Sequence, residues 1–349
     1  MKKFDIFVWS SDFESHTGEG LLARSFLKEI SVNSNYIFKV VSNNSITRVK
    51  KKLFKVIRYK KYNNNFWSKY ILLFYGLGLI WHNHLSGKKT FYLNYLPLWN
   101  FLIFFILPKK TILGPVTGGV YYNSQNLFGM IIRKYLFPLF YQISLKFVFE
   151  KNLKVFFSTG MLRKFIKNSF LKRCFFNTCF ITYNKRKIYK KKDIDFLFYY
   201  RNHSNKSNVF LKKIILNLKD KFKIFVVGDN IDFDNIKNLG NIKKDLLMSY
   251  LDRAKYSINS GENFYTLFAI DCIASDVKVF YNKNIRPSKI YFDNSLVVGL
   301  NFNNFQNSLK KIILSTKVPK KRILKSSDKL ILRKITELKQ HMQLLIRLF

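Results

Sequence analysis

Glycine (14), proline (6) and cysteine (3) are all scarce in these 349 residues, and only 20 acidic residues stand against 62 Lys and Arg. So little Gly and Pro excludes a collagen-like or linker-like chain. Cys174, Cys179 and Cys272 form no CxxC pair and have no histidine cluster nearby, which excludes a zinc ribbon or a disulfide framework and fits a reducing compartment. No apolar run reaches the roughly 20 residues of a spanning helix. The two longest, residues 70–81 and 95–108, are expected as buried core helices. The chain starts MKKFDIFVWSSDFESH, a strand without the apolar core and small-residue cleavage site of a secretory signal, so a cytoplasmic protein is expected.

What is abundant is positive charge. A net charge of +42 sets up a field that attracts phosphates, nucleic acids or anionic lipid. The same Lys, Asn, Ile and Phe excess is also the mark of an AT-rich genome, so charge alone names no partner. With aromatic residues at 17%, an anionic membrane surface is a candidate partner, met peripherally rather than by insertion. A nucleic-acid-binding protein should gather its cations on one face with stacking aromatics between them. Here they are spread along the chain, and no nucleic acid is expected.

The length suits two domains. Strands are expected at residues 5–9, 36–41, 90–93, 111–113, 155–158 and 175–182, with apolar helical segments between them, and this is the doubly wound α/β rhythm. A basic run, TYNKRKIYKKKD at residues 182–193, reads as a solvated interdomain linker. The alternation then restarts with a strand at 196–200, a helix at 208–219 and a strand at 223–227. We therefore expect domains over 1–185 and 186–317, and an amphipathic helix over 318–349 that packs back across them.

The stretch NLGNIKKDLLMSYLDRAKYSINSGENFYTLFAIDCIASDVKVF, residues 238–280, reads as helix, strand, loop, helix, strand. In open α/β sheets ligands gather where strand carboxyl ends meet helix amino ends, because free N–H groups and the helix dipole favour anions. Glu262 and the loop from Asn263 to Leu267 fall there. Arg201 and Lys206 follow the first strand of the same half, where a forked guanidinium and a point charge suit a diphosphate. In the first half, HTGEG (His16 to Gly20) and GPVTGG (residues 114–119) are Gly-containing turns beside strands. His82 and His84 alternate as two ligands on one strand face would, but no third ligand accompanies them.

The order Arg-x4-Lys, IFVVGD, LG, SGENF and AIDCIAS resembles the donor domain of the retaining GT-B glycosyltransferases that use nucleotide sugars. GPVTGG is similar to that family's Gly-Pro-x-Gly-Gly turn, and HTGEG to its first Gly-rich loop. The resemblance spans roughly residues 17–279 and implies two Rossmann-like domains facing a cleft. It implies catalytic roles for Glu262 on the transferred sugar and for Arg201 and Lys206 on the diphosphate. Donor contacts are implied for Gly18, Gly20, Gly228, Asn263, Phe264, Tyr265, Thr266 and Leu267, with Asp271 on the ribose. His16, Gly118 and Gly119 fall on the acceptor side. No cofactor or metal is implied, and the acceptor would be a saccharide or lipid-linked saccharide of cell-surface polysaccharide or lipopolysaccharide assembly. Departures stand beside these matches: the two acids are nine apart rather than eight, and Tyr265 replaces a glycine. An epimerase-type or non-catalytic GT-B relative is the alternative that these departures leave open.

Overall fold

All four residues of IFVW, Ile6–Trp9, are buried, as a parallel strand covered on both faces requires. This strand, β1, is central to the first sheet in a computed structural model. The model describes residues 5–15, 18–32, 34–59, 68–94, 96–118, 127–151, 153–185, 192–202, 208–259, 264–285, 296–317 and 327–347. The chain clusters into two units. One comprises Met1–Gly119, Ile132–Ile181 and Ile335–Phe349, and the other comprises Val120–Ile131 and Thr182–Lys334.

After β1 come α1 (Gly18–Val32), β2 (Phe38–Val41), β3 (Ser45–Lys50), β4 (Leu53–Tyr59), α2 (Ser68–Leu85), β5 (Lys89–Tyr92) and β6 (Leu96–Pro97). They are followed by α3 (Phe101–Ile106), β7 (Ile112–Thr117), α4 (Leu127–Ile131, clustered with the other unit), a π-helical turn at Ile132–Leu136, α5 (Phe137–Glu150), β8 (Lys154–Phe157) and β9 (Cys174–Phe175). The sheet order is β4-β3-β2-β1-β5-β7-β8-β9, with β6 on β7. β1 pairs in parallel with both β2 and β5, so the winding changes direction there. One face of the sheet buries Ile6, Val8, Phe38, Val40 and Val49 against Ala23, Phe26, Leu27 and Ile30 of α1.

The second unit holds β10 (Ile194–Tyr200), α6 (Asn208–Leu218), β11 (Ile224–Gly228), β12 (Ile236–Asn238), α7 (Lys244–Arg253), β13 (Ala254–Ile258), α8 (Leu267–Ala274), β14 (Lys278–Asn282), β15 (Val297–Leu300) and α9 (Phe305–Lys317). Its sheet, β12-β11-β10-β13-β14-β15, is parallel throughout. Counted within the unit, that order is 3-2-1-4-5-6, the doubly wound dinucleotide-binding arrangement, with its switch point between β10 and β13. Finally, α10 (Ser327–Arg347) sends Met342 into the first unit's core, and Lys339 pairs with Glu29 at 3.0 Å.

Several expectations are corrected. The strand expected over 175–182 is only Cys174–Phe175, and Thr178–Thr182 is a 3-10 turn whose Thr178 hydroxyl donates to the Phe157 carbonyl at 3.1 Å. His82 and His84 lie near the end of helix α2, where a two-residue spacing separates side chains around the axis instead of aligning them. GPVTGG is not a turn after a strand: Gly114 to Thr117 continue β7, and the register against β8 shifts between Leu113 and Val116. The carboxyl end of the basic linker is tied to the second unit, with Asp193 still exposed. Lys192 is largely buried and donates to the Ala254 and Ser275 carbonyls at 2.5 and 3.0 Å, and Asp193 pairs with Arg253. The apolar runs are indeed helical in α2 and α3, and among the described residues no helix is long and apolar enough to cross a membrane. They are, however, only half-buried, with Phe74, Trp81, Leu85, Leu102 and Phe105 exposed.

Candidate functional site

The carboxyl ends of β10, β11 and β13 meet at the switch point of the second unit, and the local sequence fixes the backbone there. Gly228 closes β11 with φ +103°, and a Cβ on it would lie 2.2 Å from the Tyr200 carbonyl. Only glycine fits both demands. The Gly228 N–H donates to the Gly240 carbonyl at 3.0 Å, and the Asp229 N–H donates to the Tyr200 carbonyl at 3.0 Å. The Asp229 carboxylate accepts from the Asn202 N–H at 2.7 Å. Arg201, exposed, is thus carried on a main chain held at both neighbours.

The return from β13 into α8 is pinned in the same way. Asn259, buried, donates through Nδ2 to the Phe264 carbonyl at 2.7 Å, and its Oδ1 accepts from the Thr266 hydroxyl at 2.8 Å. Thr266 is the N-cap of α8 and accepts from the Ala269 N–H at 3.1 Å, which fixes where the helix begins. Phe264 and Tyr265 are buried, and their rings meet edge to face at 4.6 Å. The tyrosine standing where a glycine was expected therefore turns its ring inward, and the loop presents backbone. The helix opening at Leu267 aims its free amides at the same edge.

Asp271 lies on α8, 4% exposed, with Lys244 from the first turn of α7 donating to its Oδ2. Burial raises the Asp271 carboxyl above the ordinary carboxylate range, and Lys244 draws it back. Neither Lys244 nor Asn259 was singled out from sequence. The signal available was the pair Lys243–Lys244 at the start of an amphipathic helix, and an Asn directly after a buried strand. Lys206, Glu262 and Asn263 lie outside the described residues, as do His16 and Gly119.

The first unit has its own switch point, between β1 and β5. The Ser11 N–H and hydroxyl donate to Asn94 Oδ1 at 2.7 and 2.9 Å, bridging the two strand ends. Glu14 accepts from the hydroxyls of Ser42 (2.7 Å) and Ser45. Gly18 and Gly20 sit inside the first turn of α1 rather than in a loop before it. A Cβ at Gly20 would lie 2.4 Å from the Asp12 carbonyl, so this glycine lets the loop rest on the helix. Gly118 follows β7, and a Cβ there would press on Leu162 at 2.9 Å and on the Tyr141 hydroxyl at 3.0 Å.

Among the described residues no three His, Cys, Asp or Glu side chains gather as a metal cluster. A cavity of about 460 Å³ lies at the other edge of the second sheet, among Asp195, Lys221, Phe222, Lys255, Tyr256, Ile313 and Thr316. It adjoins strand amino ends, where no helix N-terminus points at a ligand, so we assign the site to the carboxyl edge.

No family model matches the chain, and no curated protein does. Among solved structures, sucrose-phosphate synthase from Thermosynechococcus elongatus is similar with a TM-score of 0.60 and 10% identity, over 98% of this chain and 97% of that one. The chain has the GT-B fold. A glycosyltransferase from Rickettsia africae is similar with a TM-score of 0.51 and 15% identity, over 99% of this chain and 94% of its own. The GT-B likeness thus runs through both units and establishes architecture; the chemistry has to be argued from the site.

Proposed function

We propose that this GT-B protein is a glycosyltransferase that takes a hexosyl group from a nucleotide-diphosphate sugar and passes it to a saccharide or lipid-linked saccharide, with retention and without a metal. The observation that carries this reading is the pinned β13–α8 return, with Asn259, Thr266 and the opening amides of α8 beside Arg201 at the switch point. Such an edge suits a diphosphate, whose charge grows as the glycosidic bond breaks. In this reading Arg201, Lys206 and the backbone of Asn263 to Leu267 hold the diphosphate. Glu262 holds the sugar, Asp271 lies toward the ribose with its charge set by Lys244, and Gly228 lets the β11 turn close. The C1–phosphate bond breaks and the acceptor oxygen bonds to C1 on the same face, while the acceptor proton passes to the departing phosphate. Gly18 and Gly20 join the donor contacts, and His16, Gly118 and Gly119 belong to the acceptor side.

The acceptor we favour is a growing cell-surface polysaccharide or lipopolysaccharide on a lipid carrier, met by a cytoplasmic protein peripheral to the membrane. The test is product analysis with labelled donor. A new glycosidic bond whose anomeric configuration matches the donor supports the reading. Epimerised free sugar with no acceptor product would instead assign the protein to epimerase-type chemistry.

A further inference from the structure

In the outer part of the first sheet one face packs on α1; on the other Val41 is buried, Lys39, Ile46 and Arg48 are half-buried, and Lys50, Lys55 and Arg58 are exposed. In register, Lys39 of β2 lies opposite Arg48 of β3, which lies opposite Lys55 of β4; alongside them Val41 faces Ile46, Ile46 faces Arg58, and Lys50 faces Leu53. Directly paired residues share a face, so Lys39, Arg48, Lys50, Lys55 and Arg58 all project on one side. The opposite face carries Phe38, Val40 and Val49 into the core with α1. No acidic residue occurs in β2, β3 or β4. Like charges directly opposite one another destabilise a sheet, so this row is a feature that folding alone does not favour.

The turn between β3 and β4 adds to it. Lys51 and Lys52 take φ of +44° and +69°, a conformation that glycine or asparagine adopts more easily in a two-residue hairpin. All seven residues of β4 are exposed, including Leu53 at 75%, Ile57 at 51% and Tyr59 at 79%. On the same sheet face, α2 lies over β1: Tyr75 meets the Trp9 ring edge at 5.8 Å, and Phe74 beside it is exposed. Trp9 is itself paired with Val41, one strand from the cations.

We propose that this face of β2, β3 and β4, flanked by Phe74 and Tyr75 of α2, docks the protein on an anionic lipid surface. The cation row meets the headgroups, and Leu53 and the aromatic rings enter the interface. The aliphatic side chain decides between lipid and nucleic acid. Bases stack on aromatic rings and guanidinium planes, whereas an exposed Leu53 gains by leaving water for hydrocarbon and offers a base nothing to stack on. This deepens the membrane side of the reading above but rests on side chains outside the donor edge, so the two can fail separately.

The experiment is flotation of the full chain with phosphatidylcholine vesicles, with and without phosphatidylglycerol, alongside thermal shifts with UDP, GDP, ADP and CMP. Retention only by the phosphatidylglycerol vesicles is expected. Arg48→Glu should weaken it about tenfold or more, since each basic residue near such a surface contributes about 1 kcal/mol. The same change should raise Tm, because the new carboxylate would lie between Lys39 and Lys55. Lys55→Gln, which relieves Arg48, and Leu53→Asp, which faces Lys50, should weaken retention without lowering Tm. Absence of retention at low salt, or retention unaltered by all three variants, overturns the proposal. Binding of single-stranded RNA that tracks the charge changes and ignores Leu53→Asp overturns it in favour of nucleic acid. Vesicle retention without any nucleotide shift leaves this inference standing and sinks the glycosyl-transfer reading.

Discussion

In the second unit the edge strand β12 is three residues long and the other edge, β15, is partly buried, whereas the edge strand β4 of the first unit exposes all seven of its residues. Exposed large apolar side chains follow the same division. In the second unit Val209, Leu216, Leu246, Leu314 and Leu332 stand on scattered helical positions, Tyr199 lies on β10, and Phe128 and Ile131 share α4. In the first they crowd on β4, α2 and α3 and again where the π-helical turn enters α5, at Tyr135, Leu136 and Leu139. Both units use the same winding and the same crevice at the strand carboxyl ends. What differs is the use of the remaining surface: among the described residues the first unit presents an exposed edge strand, β4, that carries both cations and large apolar side chains, and the second has no counterpart to it.

The largest effects should come from the donor edge. Glu262→Ala and Lys206→Ala are each expected to lower turnover at least about a hundredfold, with circular dichroism unchanged. Arg48→Glu should leave turnover on a soluble acceptor intact. Equal losses from both kinds of change would break the division between the units. The glycines sharpen it. Gly228→Ala meets the Tyr200 carbonyl at a positive φ and should destabilise by about 2–4 kcal/mol in denaturant titration. Gly78→Ala, in α2 with nothing within 4 Å of the added Cβ, should stabilise by about 0.5–1 kcal/mol.

A smaller effect concerns Lys192, just before β10. Burial lowers its pKa from the ordinary 10.5 to about 8, opposed by Asp276. Between those values the unfolded chain holds the proton more tightly than the folded one. Stability therefore rises as pH climbs from about 8 to 10.5, by on the order of 3 kcal/mol for this group. Lys192→Met should remove that slope while lowering stability near neutral pH, since the Ala254 and Ser275 carbonyls lose their donor. An unchanged slope in urea titrations across this pH range would place the lysine in solvent.

Most of the parallel strands were legible because each is a short apolar run ended by a polar loop, as in IFVW and IFVVG. The hairpin was not. LFKVIRY alternates until a bulge interrupts its pairing, and its turn is two lysines where Asn-Gly would have announced it. GPVTGG misled for the opposite reason: glycine and proline read as a turn, yet Gly114 admits the Phe156 side chain beside a continuing strand. In the site, Arg201, Gly228 and Thr266 could be placed from motif order. Of the bonds that hold them, Asn202 to Asp229 joins residues 27 positions apart and follows from the pairing of β10 with β11, and Asn259 to Thr266 spans 7 residues of one strand-to-helix return.

The central claim is that the carboxyl edge of the second unit binds a nucleoside diphosphate. It is tested most directly by thermal shift of the full chain against UDP, GDP, ADP and CMP. One diphosphate should raise Tm in a saturable way, by about 2.7 kcal/mol of stabilisation at a hundred times its Kd, and Lys206→Ala should abolish the shift. No shift with any of these nucleotides, or the same shift in Lys206→Ala, would contradict the account.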